Sequence, residues 1–364
     1  MRLKIAFYVH TLTKGGAERA VSNIANYLST QDFDVTVITS VKNESEYELS
    51  DTVNRIVLSD TNPQNTIKRY VKLIISLRRT IKAGNFDVII PFMSGATIRT
   101  IFANIGFKSK IITSVRNNPE YEYAGFFGKI CANYLLPKVD YCIFQTEDAR
   151  AYFPQKLQLK SEIIPNAIND IFFNRVRKPI PYHITNCGRL AKQKNQAFLI
   201  DGFKQIQIEY PDAILDIYGI GEEYDAISSK IINEGLDGKV ILHGETKDIG
   251  TVYDMTDVFV LSSDFEGMPN TLMEAMASGV PCISTDCPCG GPRFLIKNKI
   301  NGILVPVRDI VSLIKAIKLL FENKKLKEDL GKAAKEDAKQ FQLTNICQLW
   351  IDAIQKNVDK RIEK

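Results

Sequence analysis

Short, continuously apolar runs alternate with longer amphipathic runs along the whole chain. The short runs lack the every-second-residue pattern of a half-exposed strand, so they predict strands buried on both faces, as in parallel sheets covered by helices. The predicted strands are Lys4–His10, Asp34–Ser40, Asp87–Phe92, Ile111–Val115, Tyr141–Thr146, Glu162–Pro165, Ile184–Cys187, Ala213–Tyr218, Val240–His243, Val258–Ser262, Pro281–Ser284 and Gly302–Val305. This rhythm predicts two doubly wound, Rossmann-like α/β domains in tandem.

A segment rich in proline and basic residues separates the two sets of strands. It reads "NRVRKPIPYH" and predicts a linker over residues 174–182. The chain has 364 residues, more than one hydrophobic core usually supports, which also favours two domains. We predict domains over residues 1–174 and 183–342, followed over 343–364 by an amphipathic helix that could pack on either of them.

Two carboxylates flank the junction between a predicted strand and a predicted helix in "SSDFEGMPNTLMEAMASGVPCISTD". Ligands of open parallel sheets bind beyond the carboxyl ends of strands, and a helix N-terminus there attracts phosphate. Gly267 would allow close backbone approach, and Pro269 would stiffen the helix entry. A capping box formed by Thr271 and Glu274 is an open alternative, but it does not explain Glu266, which precedes the helix. Carboxylates at such a place suit hydrogen bonds from sugar hydroxyls.

Two further loops at the carboxyl ends of predicted strands carry candidate chemistry in the second domain. Arg189 and Lys194 lie in "CGRLAKQKN" and could stabilise a departing diphosphate, although a solvated basic loop is the simpler reading. Gly219 and Gly221 lie in "LDIYGIGEE" and could let a flat base approach the backbone, although a plain turn explains them equally well.

The first domain has a glycine loop of its own in "TLTKGGAERA". Gly15 and Gly16 open a predicted helix directly after the first strand, which makes a second place where phosphate could bind. The loop is not Gly-x-Gly-x-x-Gly, and the next strand, "DVTVITS", does not end in an acidic residue. A nicotinamide dinucleotide fold is therefore disfavoured.

Composition excludes several classes of protein. The odd number of cysteines, seven, and the lack of a leader-like start indicate a reducing, cytoplasmic protein without a disulfide framework. No apolar window is long enough for a membrane span. Neither the Cys287-Pro-Cys289 pair nor Asp32-x-Asp34, which precedes its strand, predicts a metal site.

One basic amphipathic run raises the question of a membrane or nucleic-acid partner. In "TIKRYVKLIISLRRTIKAG" the cations lie opposite an apolar face, which is typical of a surface helix packed on a core. The same helix could touch anionic lipid. Binding to nucleic acid is disfavoured because the cations lack interleaved aromatic positions. The cations are Lys68, Arg69, Lys72, Arg78, Arg79 and Lys82.

Taken together, these motifs resemble the family 4 retaining glycosyltransferases of the GT-B fold, and particularly members that assemble bacterial polysaccharides and lipid-linked oligosaccharides. The resemblance covers nearly the whole chain and is densest from "IIPNAIND" through "SSDFEGMPNTLMEAMASGVPCISTD". The pair Glu266-x7-Glu274 is its most specific element. The resemblance implies a GT-B architecture, two doubly wound Rossmann-like domains facing across a cleft, with the last helix crossing back to an acceptor-side N-terminal domain.

The resemblance also implies roles for individual residues. Glu266 would bind a hydroxyl of the donor sugar, Glu274 the ribose hydroxyls, and Arg189 and Lys194 the leaving diphosphate. The remaining donor-side residues would be Gly16, Gly219, Met268, Pro269, Asn270, Thr271 and Leu272, with backbone amides around the helix start holding the diphosphate. Gly15 would lie on the acceptor side.

The first domain departs from the family pattern at one place. Many members carry a histidine in the loop that faces the sugar, whereas "SVRNNPE" stands here, with Arg116 as the candidate catalytic residue and Asn117 on the acceptor side. The resemblance implies retaining transfer of a sugar from a nucleotide-diphosphate sugar to a glycan or lipid-linked acceptor, without a metal ion or cofactor. The expected donor is a UDP-sugar. The alternatives are a sugar-nucleotide epimerase or phosphorylase of the same fold, or a non-catalytic sugar-nucleotide-binding partner.

Overall fold

A computed structural model describes residues 2–13, 15–58 and 66–359 of the chain. It divides the chain into two compact units. Unit 1 comprises Met1–Ala167 and Leu343–Lys364, and unit 2 comprises Ile168–Gln342. Each unit is a parallel sheet covered by helices, so the predicted doubly wound α/β class is confirmed.

Unit 1 is built on a seven-stranded parallel sheet with the order β3-β2-β1-β4-β5-β6-β7. The chain reverses its direction across the sheet between β1 and β4, the arrangement of doubly wound folds. The strands are β1 (Leu3–Val9), β2 (Phe33–Thr39), β3 (Asn54–Val57), β4 (Val88–Pro91), β5 (Lys110–Ser114), β6 (Tyr141–Phe144) and β7 (Ser161–Ile163).

The helices of unit 1 cover both faces of this sheet. The first of them buries Ala20, Val21, Ile24, Ala25 and Leu28 at helical spacing, as its amphipathic pattern requires. The helices before the unit boundary are α1 (Gly16–Ser29), α2 (Thr66–Gly84), α3 (Ser94–Ala103), α4 (Pro119–Glu122), α5 (Gly125–Ile130), α6 (Glu147–Ala151) and α7 (Gln155–Gln158). A π-helical turn over Cys131–Leu135 and a 3₁₀ turn over Leu136–Lys138 extend α5.

Unit 2 is built on a six-stranded parallel sheet with the order β10-β9-β8-β11-β12-β13. The apolar side chains of its central strands form the core, and Ile184, Leu215 and Val260 are fully buried there. The strands are β8 (His183–Cys187), β9 (Ile214–Tyr218), β10 (Val240–Gly244), β11 (Val258–Leu261), β12 (Cys282–Thr285) and β13 (Ile303–Val305).

The helices of unit 2 are mostly capped by the residues that precede them. The side chains of Asn195, Asp248 and Asp309 accept hydrogen bonds from backbone N–H groups of the first turn that follows each of them. The helices are α8 (Gln196–Glu209), α9 (Tyr224–Asn233), α10 (Ile249–Met255), α11 (Asn270–Ala277), α12 (Gly291–Leu295), α13 (Ile310–Glu322) and α14 (Lys324–Ala338).

The last helix, α15 (Leu343–Asp359), belongs to unit 1 although it follows unit 2 in the chain. It packs on α1 and near β5. Its anchor is Trp350, which is fully buried and stacks on Phe92 with ring centroids 5.7 Å apart. Burial of an indole of this size is a large share of what holds the helix on the sheet.

All twelve strands predicted from the sequence are confirmed, with ends that differ by one or two residues. The prediction missed β3. Only Ile56 and Val57 are apolar in this strand, and it lies at the sheet edge beside β2, where its residues stay partly exposed. A half-exposed edge strand lacks the continuous apolar run that identified the others.

The predicted linker over 174–182 is part of unit 2 in the structure, and the division falls earlier, between Ala167 and Ile168. Arg175 binds both carboxylate oxygens of Asp254 through its Nε, at 3.0 and 2.9 Å. Arg177 donates from Nη1 to the carbonyl of Gly279 at 2.7 Å. Its basic residues therefore tie the segment to unit 2, which a composition of prolines and cations does not reveal.

All seven cysteines are unpaired, and six of them are buried. Among the described residues, no helix is both long enough and apolar enough to cross a bilayer.

Candidate functional site

Glu266 lies in the loop that follows β11 and is 5% exposed. Its carboxylate is held by neighbouring side chains: Lys194 Nζ lies 2.5 Å from Oε1, and the Ser263 hydroxyl donates to the same oxygen at 2.6 Å. A buried carboxylate needs such partners because its desolvation is otherwise unfavourable by several kcal/mol. The loops after β8 and β11 thus meet at one fixed negative charge, as their position at the carboxyl edge of the sheet predicted.

Lys194 reaches Glu266 because its loop is bonded along its length to the loop after β11. The backbone N–H of Asp264 donates to the carbonyl of Gln193 at 2.9 Å, and the Ser262 hydroxyl donates to the carbonyl of Lys194 at 2.9 Å. Asn195 turns the chain in a left-handed conformation, with φ of 48°, and starts α8. These contacts hold the backbone at Lys194 in a position from which its ammonium reaches the Glu266 carboxylate.

A third loop, after β12, holds the backbone on either side of the Glu266 carboxylate. The N–H of Glu266 donates to the carbonyl of Pro288 at 2.6 Å, and the N–H of Cys289 donates to the carbonyl of Glu266 at 2.9 Å. A Cβ atom at Gly291 would lie 1.8 Å from the carbonyl oxygen of Gly267, so only glycine fits there. The "CPCGGP" run therefore positions Glu266, and burial raises the pKa of the Cys287 thiol to about 12, which keeps the thiol neutral.

The helix α11 begins immediately after this loop, with Pro269 at its N-cap and no side-chain cap. Met268 and Leu272 are buried beside Pro269 and fix the entry. The Thr271 hydroxyl is buried without a hydrogen-bond partner among the described residues. The capping box considered for Thr271 is therefore absent, because the helix already starts at Asn270. A helix N-terminus with an unpartnered hydroxyl is chemically suited to donate hydrogen bonds to phosphate oxygens.

Glu274 lies one turn into α11 and is buried. It approaches Cys187, the last residue of β8: burial raises the pKa of the Cys187 thiol, and the charge of Glu274 adds to the increase. The two carboxylates of the Glu266-x7-Glu274 pair thus flank the start of α11, one before the helix and one inside it. This is the arrangement that the sequence pattern predicted around a phosphate position.

Gly219 and Gly221 have a structural task that the sequence did not reveal. A Cβ atom at Gly219 would lie 1.9 Å from the carbonyl oxygen of Gly188, and one at Gly221 would lie 2.2 Å from that of Leu190. The two glycines let the loop after β9 pack directly on the loop that carries Arg189. The close approach suggested for a flat base is made here by the protein backbone.

We expect Gly219→Ala to distort the loop after β8, because the new methyl group would collide with the carbonyl of Gly188. Gly219 has φ of 145° and no space for a methyl group, so the loop that carries Lys194 must move. We expect Tm to fall by several degrees in a thermal unfolding experiment. The matched control is Gly238→Ala, which has φ of 73° but nothing within 4 Å of the new methyl group. Equal losses in the two variants would contradict the steric argument.

Arg189 stands in the same loop as Lys194, but its side chain is exposed. Its carbonyl accepts a hydrogen bond from Gln196 Nε2 at 3.2 Å, which fixes the backbone rather than the guanidinium. The structure brings Lys194 onto Glu266 and leaves Arg189 at the surface of unit 2. An exposed guanidinium on this loop remains able to meet an anion that binds there.

In unit 1 the predicted phosphate position at Gly15 and Gly16 is covered by the chain's own carboxylate. A Cβ atom at Gly15 would lie 2.3 Å from Glu18 Oε2, so the Glu18 side chain folds back over the N-terminus of α1. Burial raises the pKa of this carboxyl. A side chain at position 15 would displace the Glu18 carboxylate, a contact that the sequence analysis missed.

Arg116 is buried under α15 and does not project to the surface of unit 1. Its guanidinium stacks on Phe92 and Trp350, 5.1 and 5.4 Å from the ring centroids, and donates from Nε to Ser114 at 2.7 Å and from Nη1 to Asn166 at 2.8 Å. Desolvation lowers its pKa to about 9, and Nη2 has no partner among the described residues. The geometry gives Arg116 a clear role in fixing the last helix.

Asn117 follows Arg116 at the same edge of the first sheet and is half-buried. Its side-chain oxygen accepts from the N–H of Asn118 at 2.8 Å, and Asn118 in turn caps α4. Asn117 therefore shapes the loop. This contact uses one of its polar atoms for the fold and leaves the amide nitrogen for another partner.

One polar cluster of unit 2 was not anticipated. His183 and His243 lie on β8 and β10 and both hydrogen-bond Asp216 on the strand between them, at 2.9 and 2.7 Å. Alternate residues on neighbouring strands share a face, so this contact follows from the strand order, which no local motif reveals. Among the described residues there is no group of three or more acidic, histidine or cysteine side chains placed to hold a metal ion.

Two family models match adjacent parts of the chain. The model for Glycosyltransferase Family 4 matches residues 14–171, and the model for Glycosyl transferases group 1 matches residues 168–337. Together they cover residues 14–337, and the second contains the Glu266 site.

The chain is a glycosyltransferase in which a family 4 domain precedes a group 1 domain.

Relatives of this glycosyltransferase match it over almost its entire length. A Campylobacter jejuni GalNAc-alpha-(1->4)-GalNAc-alpha-(1->3)-diNAcBac-PP-undecaprenol alpha-1,4-N-acetyl-D-galactosaminyltransferase is 26% identical over 97% of this chain and 98% of its own. An Escherichia coli UDP-Gal:alpha-D-GlcNAc-diphosphoundecaprenol alpha-1,3-galactosyltransferase is 25% identical over 89% of each chain. The chain is thus a transferase that moves a sugar in glycan assembly.

Solved structures of GT-B glycosyltransferases share its fold. Anabaena Alr3699/HepE in complex with UDP and glucose superposes with a TM-score of 0.83 over 97% of this chain and 100% of its own, at 18% identity. The lipopolysaccharide outer core galactosyltransferase WaaB superposes with a TM-score of 0.79 over 97% of this chain and 99% of its own, at 19% identity. The fold expected from the resemblance is therefore confirmed.

Proposed function

We propose that this glycosyltransferase transfers a hexose or N-acetylhexosamine from a UDP-sugar to a hydroxyl of a lipid-linked glycan, with retention of anomeric configuration. The observation that carries the proposal is the constellation of unit 2: buried Glu266, held by Lys194, beside a helix start where the Thr271 hydroxyl lacks a partner. Such a site offers an acceptor to sugar hydroxyls and donors to a diphosphate side by side.

Each part of the donor has a counterpart among these residues. Glu266 would accept a hydrogen bond from a sugar hydroxyl, and its buried, bonded position would orient the ring. The N-terminus of α11, with Asn270, Thr271 and Leu272, would receive the diphosphate. Glu274 would accept from the ribose, inside the first turns of the same helix.

The leaving group would be stabilised by cations of the chain itself. In the transfer step, the bond between the anomeric carbon and the phosphate oxygen breaks while the acceptor oxygen bonds to that carbon. Lys194 and Arg189 stand on the loop after β8 and would neutralise the charge that grows on the diphosphate. In this proposal they and the helix dipole supply the electrophilic assistance, so no metal ion is required.

Retention favours attack on the face from which the diphosphate leaves. The Glu266 carboxylate is already engaged by Lys194 and Ser263, which stabilises it as an anion and lowers its reactivity as a nucleophile. The acceptor oxygen would then bond to the anomeric carbon from the departing side, and its proton would pass to the diphosphate oxygen that is released. A covalent glycosyl-enzyme intermediate is the alternative route to the same stereochemistry.

The choice of donor and acceptor rests on relatives and neighbours. The Escherichia coli relative is named for a UDP-galactose donor and a diphosphoundecaprenol acceptor, and the Campylobacter jejuni relative for an undecaprenol-linked glycan. The Anabaena structure holds UDP and glucose. A lipid-linked acceptor would be met at the inner membrane face, so the enzyme would act as a cytoplasmic protein in peripheral contact with the membrane.

A thermal-shift panel with UDP, GDP, ADP, CMP and NAD tests the donor class. We expect UDP at a hundred times its dissociation constant to add about 2.7 kcal/mol of stability, and the other ligands to add far less. Glu274→Gln should weaken UDP binding about tenfold, because it replaces a charged acceptor by a neutral one. A shift with GDP or ADP alone would contradict the UDP assignment, and no shift with any nucleotide would contradict the site.

Product analysis separates the alternative functions. An epimerase would convert the UDP-sugar without an acceptor, and a phosphorylase would require free phosphate. A non-catalytic binding protein would give the UDP shift and no product with any acceptor in a lipid extract. Release of UDP that depends on a lipid-linked glycan, with an α-linked product from an α-linked donor, is the result that we expect.

A further inference from the structure

Three elements on one side of unit 1 combine exposed apolar residues with cations and contain no aspartate or glutamate. This surface is formed by α2, by α3 and by the helical stretch over residues 125–138. No aspartate or glutamate occurs in residues 66–86, 88–119 or 123–139, although the chain as a whole has 42 acidic residues. Soluble proteins usually mix acidic and basic residues over their surface, so three successive stretches without an acidic residue are unusual.

These three elements are neighbours in the fold. Helix α3 packs against α2 and against the turns over 131–138. Arg99 of α3 lies 5.6 Å from the ring centroid of Tyr70 on α2, and Tyr70 in turn is close enough to Cys131 for the two groups to interact. The connections from β3 to β4, from β4 to β5 and from β5 to β6 all run in one direction across the sheet, so right-handed crossovers place their helices on one face.

The aromatic part of this surface is concentrated in the stretch over residues 125–138. Phe126 and Phe127 are 75% and 81% exposed, with ring centroids 5.7 Å apart, and Tyr134 is 71% exposed about two turns further on. Phe102 on α3 and Ile105, two residues after the end of that helix, are also exposed. Aromatic rings of this exposure fit the boundary between lipid headgroups and acyl chains, where Trp, Tyr and Phe are enriched.

The basic part of the surface lies on α2. Its outer face exposes Lys72, Arg79 and Lys82 together with the apolar side chains of Val71 and Ile75. The buried side of the helix is apolar, with Leu73, Leu77 and Ile81 in the core, as the amphipathic pattern predicted. The cations therefore surround exposed apolar side chains, which a helix that merely covers a core does not require.

A groove of about 320 Å³ runs between α2 and the turn after α3. Its cationic walls are Arg78, Arg79 and Lys82, and its apolar walls are Ile75 and Phe107. The guanidinium of Arg78 lies 4.5 Å from the Phe107 ring centroid and donates to the carbonyls of Ala103 and Ile105. A guanidinium held by hydrogen bonds, two exposed cations and an apolar wall suit a phosphate headgroup with its first acyl carbons.

We propose that this face docks on an anionic lipid bilayer, with Phe126, Phe127 and Tyr134 inserted at the interface and the cations of α2 on the headgroups. The inference rests on the proposed function and deepens it, because it assigns the surface that brings the enzyme to a lipid-linked acceptor. Charge complementarity selects the occupant: basic elements without an aspartate or glutamate and with exposed aromatics match negatively charged lipid.

Flotation with vesicles separates insertion from electrostatic recruitment. The wild-type protein should float with vesicles containing 30% phosphatidylglycerol, about tenfold more than with pure phosphatidylcholine, and part of the binding should survive 0.5 M salt. The double variant F126S/F127S should lose the salt-resistant part. The control is I208S/I232S, which removes two isolated side chains of unit 2 that are 72% and 66% exposed, and it should float like the wild type.

The basic side is tested by K72Q/R79Q/K82Q, three exposed positions outside the proposed sugar site. This variant should lose most binding at low salt, about tenfold or more, while its urea midpoint stays unchanged. Wild-type flotation of F126S/F127S, or equal binding to neutral and anionic vesicles, would overturn the proposal. So would a dimer in sedimentation that F126S/F127S dissolves, because the patch would then serve a second copy of the chain.

A fluorescence measurement locates the inserted residue. The chain has one tryptophan, Trp350, which is fully buried, so its emission should not respond to lipid. F126W adds a second, exposed indole. Its emission should shift to shorter wavelength and be quenched by brominated lipid when anionic vesicles are added, and an unchanged spectrum would overturn insertion. None of these assays uses a sugar donor or a glycan acceptor. The thermal-shift panel with nucleotides therefore tests the proposed function independently of membrane binding.

Discussion

Glu266→Gln is expected to lower kcat by about a thousandfold while UDP still binds. The amide keeps the size of the carboxylate but loses the charge that Lys194 and Ser263 hold in place. A preorganised charged group that orients the reacting sugar is worth roughly 10²–10³ in rate. Since the diphosphate position at α11 is untouched, the thermal shift with UDP should remain within about twofold of wild type. Initial rates of lipid-dependent UDP release measure the effect.

The matched control is Ser263→Ala, which removes one hydrogen bond from the same oxygen and leaves the charge in place. We expect a loss of no more than about tenfold in kcat, since a single neutral donor contributes about 1 kcal/mol. Near-normal transfer by Glu266→Gln would refute the proposed role of Glu266. Loss of the UDP shift in that variant would instead show that Glu266 supports the fold of the site.

Trp350→Ala is expected to reduce the free energy of unfolding of unit 1 by about 3–5 kcal/mol. The side chain is fully buried, and its removal opens a cavity between α15 and β4 where Phe92 now stacks. Arg116 would also lose one of the two rings that enclose its guanidinium. Urea unfolding followed by circular dichroism measures the change. The UDP shift, which depends on residues of unit 2, should persist at temperatures where the variant is folded.

Leu349→Ala provides the control on the same helix. Leu349 is 43% exposed, so its truncation should cost about 1 kcal/mol or less and leave the position of α15 unchanged. If both substitutions had the same small effect, α15 would not be anchored through Trp350. The comparison also tests the reading of Arg116 as a residue that fixes this helix.

Most of the sheet architecture could be predicted because buried parallel strands leave a local signature. Runs such as those of β4 and β11 are apolar at every position, and this pattern does not depend on what packs against them. The edge strand β3 lacks the signature. The prediction of a linker over residues 174–182 was wrong for a related reason. Arg175 and Arg177 read as solvated cations in the sequence, and their partners Asp254 and Gly279 are distant in the chain.

The candidate site divides in the same way. The positions of Glu266, Lys194 and Glu274 near a helix start followed from the order of strand, loop and helix. The sequence did not show that Ser263 and the loop after β12 hold Glu266, or that Thr271 lies one residue inside the helix. Those facts depend on hydrogen bonds between separate loops, and local spacing carries no information about them.

The sequence by itself determined two parallel α/β sheets, the class of enzyme and the acidic pair with its basic partner loop, because buried runs, glycine loops and the Glu266-x7-Glu274 spacing are local patterns. Only the tertiary structure decided what Gly219 and Arg116 do. Gly219 is required by the carbonyl of Gly188, and Arg116 is enclosed by a tryptophan from the far end of the chain. Contacts between distant segments set these roles, and they exist only once the chain has folded.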